Sequence, residues 1–365
     1  LKAINDATSG AITLFSNNIA LQGSAADVAA ALNGISNYTG AITLTSNHTL
    51  AQLKAINDAT SGAITLSSSN ILLQGSAVDV RAALSGFTNY AGAIILNDNS
   101  LDATALNSID GLTAGAVNAS YIASLSGSAA DILSSYNASA NRTILGLGNE
   151  AINLTTNHTL AQLKAINDAT SGSITLFSNS VNLEGSAADI EAALSGIADY
   201  TGALTISDTN LDAVGLNSIN ELTTGVINAA SIRSLSGLAT EILTSLTSNA
   251  AATISNLGNA DITLSNTSLA ADLLNSINAL TTGIINTAAI TSLSGSAADI
   301  LAAYNANTSG AIIGLGDEAV TINSISADAT TLNSINSLTT GVINAATITS
   351  LSGYAADVIA AYAAN

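Results

Sequence analysis

Two turns in this chain gather oxygen donors closely enough to hold a hard cation: Asn97-Asp98-Asn99-Ser100-Leu101-Asp102 and Ser207-Asp208-Thr209-Asn210-Leu211-Asp212. Calcium is bound by several carboxylate and carbonyl oxygens at short sequence spacing, so Asp98, Asp102, Asp208 and Asp212 are the candidate calcium ligands. The same carboxylates also suit the first turn of a helix, where they cap free N–H groups and meet the positive end of the dipole. The glycine that sharpens an EF-hand loop is missing from both turns. Glu150 and Glu318, in Gly146-Leu147-Gly148-Asn149-Glu150-Ala151 and Gly314-Leu315-Gly316-Asp317-Glu318-Ala319, form a fainter pair of the same kind. Their paired glycines bend the chain between strand pieces and are not followed by the helix start of a dinucleotide fingerprint.

Other chemistry is thinly provided. The two histidines, His48 and His158, stand at one place in two copies of Asn-His-Thr-Leu-Ala-Gln-Leu-Lys, with no cysteine in the chain to complete a zinc set. They read as loop residues at the surface. Serines and aspartates recur everywhere, so no Ser-His-Asp group is singled out, and no catalytic residue is expected.

The elements behind these turns repeat. Leu1-Lys2-Ala3-Ile4-Asn5-Asp6-Ala7-Thr8-Ser9-Gly10 returns letter for letter at Leu53 and Leu163, and the wider L-x-x-I pattern also begins at Leu106, Leu216, Leu274 and Leu332. This divides 1–365 into one continuous array of units 1–52, 53–105, 106–162, 163–215, 216–273, 274–331 and 332–365. Each unit reads as two strand-then-helix rungs. Ala11 to Leu14 and Ala41 to Leu44 alternate as strands, while Ser24 to Leu32 and Thr49 to Ala59 read as helices. That rhythm demands parallel strands and right-handed crossovers. The expected fold is therefore α/β, a right-handed solenoid of stacked strand-helix rungs with a parallel sheet, on a plan like that of leucine-rich repeats.

Local signals agree. Ser24, Ser76, Ser128, Ser186 and Ser296 each precede an acid by three residues, as an N-cap with a first-turn carboxylate should. Leu238 and Tyr354 break that cap. Gly62, Gly115, Gly172, Gly225, Gly283 and Gly341 follow the other helices, where a left-handed C-cap is expected. Asn118, Asn228, Asn286 and Asn344 share one strand position and are expected to stack as an amide ladder.

Composition limits the partners. With 6 Lys and Arg against 25 Asp and Glu the net charge is −19, so no nucleic-acid partner is expected. No apolar run is long enough for a membrane span. At 48% hydrophobic residues, without Pro, Cys, Met or Trp, the chain has the apolar content to fold around a thin aliphatic core.

Runs such as TTLNSINSLTTGVINAATITSLSGYAADVIAAYAA and GLGDEAVTI resemble repeats of large exported Ala/Ser/Thr/Asn-rich proteins of cyanobacteria and other marine bacteria. These are haemolysin-type calcium-binding repeat exoproteins, whose hallmark nonapeptide GGxGxDxUx is not found here. The resemblance implies secretion and a role at a cell surface, in a matrix or in a filament. The expected function is a non-enzymatic extracellular structural array without a cofactor, calcium aside; the alternative is an adhesin spacer or binding module for glycans, cells or ice. Both ends are as apolar as the interior, so the array is expected to be cut from a longer chain and to self-associate end to end.

Overall fold

The computed structural model describes Leu1 to Ala364, which form two compact units, Leu1–Ser178 and a second beginning at Asn179. The first holds helices α1 (Lys2–Ala7), α2 (Ala25–Leu32), α3 (Leu50–Ala59), α4 (Ala77–Leu84), α5 (Ala103–Asp110), α6 (Ala129–Ala140) and α7 (Leu160–Ala169). The second holds α8 (Ala187–Leu194), α9 (Ala213–Leu222), α10 (Ala239–Ala250), α11 (Ala271–Leu280), α12 (Ala297–Ser309), α13 (Ala329–Leu338) and α14 (Ala355–Ala363). Within each unit every helix packs on the next in sequence. All strand pairings among the described residues are parallel, so each strand returns beside its predecessor only after a helical crossover. The α/β architecture with alternating helices and parallel strands is thus the one the periodicity implies.

The sheets are staggered, a feature the repeat pattern hides. In the first unit Leu21–Gly23 pairs with Ile42–Leu44 and then Ile64–Thr65. A second sheet runs Leu73–Gly75, Ile94–Leu96, Val117–Asn118, Ile144–Leu145, and a third Ser100–Asp102, Ser124–Gly127, Ala151–Leu154, Ile174–Thr175. Strand partners recur at a shorter interval than helices: Leu21 pairs with Ile42, whereas α2 and α3 begin at Ala25 and Leu50. Each later strand therefore ends further ahead of its helix. Gly23 lies just before α2, Leu44 leaves a short turn before α3, and Thr65 leaves a long one before α4. The sheet runs out and a new one starts on the strand that abuts the next helix. The second unit repeats the stagger with sheets that begin at Leu183–Gly185, Asn210–Asp212, Ser268–Ala270 and Ser326–Asp328.

The core is a thin aliphatic layer, as the shortage of aromatics requires. Ile42, Ile94, Val117 and Ile144 point inward from strands, and Leu53, Ile56, Leu106 and Ile109 meet them from helices, all buried. Tyrosines close the corners: the hydroxyls of Tyr38, Tyr90 and Tyr200 donate to the carbonyls of Ile19, Ile71 and Val181. Burial pushes the Tyr90 and Tyr200 phenols up to about 12.

Three local expectations are corrected. Ala11 to Leu14 form no strand. Asn118, Asn228, Asn286 and Asn344 do not form a ladder; each accepts the N–H two residues ahead and closes its own turn, and only Asn228 also receives an amide from a neighbouring rung, that of Asn256. A side-chain acceptor so close to its own backbone wins over a partner a full rung away. The third correction concerns the glycines after the helices. They are not left-handed caps, for α3 and α9 end instead on Thr60 and Thr223 in extended conformation. A Cβ at Gly62, Gly172, Gly225, Gly283 or Gly341 would stand 1.9–2.4 Å from a carbonyl oxygen of the preceding rung. Glycine is needed there because two backbones touch.

Candidate functional site

The four candidate calcium ligands all face backbone N–H groups. Asp102 caps α5, accepting from Thr104 N (2.9 Å) and Ala105 N (3.3 Å), and Asp212 caps α9 through Val214 N (2.8 Å). Asp98 and Asp208 reach back one rung and accept the first N–H of α4 and α8, from Ala77 (2.8 Å) and Ala187 (2.6 Å). Ser46, Asn266 and Ser324 do the same for Ala25, Ala239 and Ala297. One position thus caps the previous helix in five rungs, whether it carries a hydroxyl, an amide or a carboxylate. Among the described residues no group of three or more His, Asp or Glu is arranged to hold a metal ion.

Because these oxygens are spent on N–H groups, chelating calcium is expected to leave the thermal midpoint unchanged. A rise of several degrees on adding millimolar calcium to chelated protein would make the turns metal sites instead. Replacing Asp208 by alanine is expected to cost about 1 kcal/mol, the usual price of an orphaned helix N–H, read as a lower denaturant midpoint.

Glu150 and Glu318 are buried, which the glycine-rich bends did not announce. Each accepts the hydroxyl of a tyrosine on the preceding helix, Tyr136 or Tyr304. The second oxygen of Glu150 accepts Gly148 N (2.8 Å) and Asn149 N (3.1 Å), and that of Glu318 accepts Gly316 N (2.7 Å) and Asp317 N (3.1 Å). Burial first, and then the hydrogen bond to the carboxylate, raises both phenols far above their ordinary value. The corresponding place in α10 and its following turn holds Leu246 and Ala260, both fully buried. Tyrosine and glutamate therefore come and go together, which is the behaviour of a packing unit.

His48 and His158 are also buried, at 4% and 5% exposure, and not on the surface as their loop context suggested. Neither ring nitrogen of either histidine has a hydrogen-bond partner. Aligning the rungs on their caps would have shown this: each histidine stands one residue before the N-cap threonine, where other rungs carry Leu101, Leu211, Leu269 or Ala327.

The most frequent residues of the repeat act between rungs. Thr60, Thr113, Thr170, Thr223 and Thr339 donate their hydroxyls to Tyr38, Gly92, Glu150, Gly202 and Gly316 carbonyls of the previous rung at 2.8–3.1 Å. Each also accepts the N–H of the glycine two residues on. Asn57 reaches the Ala82 and Ser85 carbonyls at the end of the next helix. Asn107, Asn217, Asn275 and Asn333 reach the carbonyls of Asp131, Glu241, Asp299 and Asp357 in the first turn of the next helix, at 2.9–3.0 Å. The lysine and aspartate of Leu-Lys-Ala-Ile-Asn-Asp pair along the exposed helix face, as Lys54 with Asp58 and Lys164 with Asp168, 2.7 Å apart. Exposed pairs of this kind contribute little.

Among the described residues no helix is long and apolar enough to cross a membrane. No family model matches the chain, and no curated protein or solved structure matches it.

Proposed function

We propose that this chain is a non-enzymatic structural repeat protein, an α/β solenoid that forms or extends an extracellular filament, sheath or matrix at a bacterial surface. The observation that carries the reading is the use of the repeat's signature residues: the hydroxyls of Thr60 and its equivalents, the glycine contacts and the amides of Asn107 and its equivalents are spent on the adjoining rung. A sequence selected for binding or turnover keeps some polar groups aimed at a ligand, whereas one selected for stacking spends them on its neighbours. Self-association end to end fits the same logic.

Sedimentation of the full chain over a hundredfold concentration range tests this. The expected result is mass that grows with concentration, with linear assemblies in negative-stain images; one monomeric species throughout would remove the filament reading. One observation favours a second reading, an adhesin spacer or binding module. Asp212, Ser236, Thr263 and Asn286 stand in register on the outward side of one sheet, presenting a column of polar side chains at strand spacing. Retention of a monomer on an immobilised glycan would favour that reading.

A further inference from the structure

The buried histidines have no place in the stacking scheme, and their surroundings point to a purpose. His48 sits at the corner where Ile42–Leu44 turns into α3, in a position that Leu101 fills in a later rung. Its imidazole is 96% covered without a partner for either nitrogen, and its ring lies 6.2 Å from that of Tyr90, tilted by 59°. The elements around it are α2 and α4, which pack on α3 from either side. Their charged groups are engaged elsewhere or turned outward. Asp27 and Asp79 bond the capping Ser24 and Ser76, Lys54 pairs with Asp58, and Arg81 is exposed. Asp98 holds Ala77 N and Asp102 caps α5. Burial alone lowers the basicity of His48, and the same is true of His158.

We propose that the His48 slot is an acid-opened joint of the Leu1–Ser178 unit. Neutral imidazole fills the corner as leucine does elsewhere, and a proton taken up when the corner opens holds it open. The direction follows from proton uptake. The folded slot disfavours the charged ring, so the open form binds the proton first as pH falls through the ordinary histidine value of 6.5. Closure is at full strength above that value and weakens below it. Between pH 7.5 and 5.5 the open population should rise by up to about tenfold, the limit for a closed form that takes up no proton, while leucine slots do not respond.

Amide hydrogen exchange of the full chain, at pH 7.5 and 5.5 with times scaled to the intrinsic chemical rate, reads this directly. Segment 42–60 is expected to lose protection on acidification, by up to about tenfold. Segment 94–110, with Leu101 in its slot, is the internal control. In His48→Leu the response of 42–60 should vanish, and His48→Gln, neutral at both pH values, should also abolish it. An equal loss at 94–110, or a response that survives both substitutions, would overturn the proposal.

Discussion

Gly283→Ala is expected to destabilise the second unit by about 3 kcal/mol or more, the upper range for forcing atoms into a filled site. The new Cβ would stand 2.0 Å from the Ala260 oxygen and 2.5 Å from its carbonyl carbon. Both are backbone, so no rotamer change relieves the overlap, and the rung must move away from its neighbour. That movement would also stretch the bond between the Thr281 hydroxyl and Gly258. Gly310→Ala is the comparison. Its φ of +84° sets a strain of about 1–2 kcal/mol for any residue with a Cβ, but nothing lies within 4 Å of the new atom. Denaturant midpoints of the two variants separate the effects. If Gly283→Ala proved the milder change, the close contact between rungs would be wrong.

The second large effect is a reversal within one pair. Tyr304→Leu leaves the buried Glu318 carboxylate short of a donor, and losing a hydrogen bond to a buried charged group costs about 3 kcal/mol. Glu318→Ala orphans the buried Tyr304 hydroxyl, at about 1–3 kcal/mol, while the N–H groups of Gly316 and Asp317, on a partly exposed turn, are within reach of water. The double variant recreates the Leu246 and Ala260 combination that the chain already uses. It is expected to return to within about 1.5 kcal/mol of the parent, so the two losses should be far from additive. A double variant as unstable as the sum of the singles would mean that the two rungs are not equivalent.

What was legible in the sequence is what is decided within a few residues. Ser24, Ser76, Ser128, Ser186 and Ser296 accept from the predicted acidic residue's N–H, and Leu238 and Tyr354 make no side-chain cap, as their side chains dictate. The capping box of Thr49 with Gln52 is equally local. The misjudged residues are those whose partners lie a rung away. Gly172 looks like a helix cap until the Glu150 carbonyl is seen against it, and His48 looks like a loop residue until the surrounding helices close over it. Asp98 shows both sides: its backbone role was expected from capping, but the helix it caps is the previous one. The stagger of the sheets escaped for the same reason, since strand and helix intervals differ by only a few residues per rung.

The central claim is that each rung needs only its neighbours, so the chain should tolerate loss of one whole period. Deleting residues 274–331 joins Ala271, Asp272 and Leu273 of α11 to Leu332 of α13 in helical register, and brings Ser350–Ser352 to where Ser292–Gly295 paired with Ser268–Ala270. Cooperative unfolding of this shortened chain, followed by circular dichroism against denaturant, is the measurement. The account predicts a folded protein with unchanged helix content per residue and a midpoint close to that of the parent. Removal of 274–303, which ends within α12, should lower both the helix content per residue and the midpoint, because the rungs on either side of the cut no longer match. Loss of cooperative folding in the whole-period deletion, or survival of both deletions alike, would contradict it.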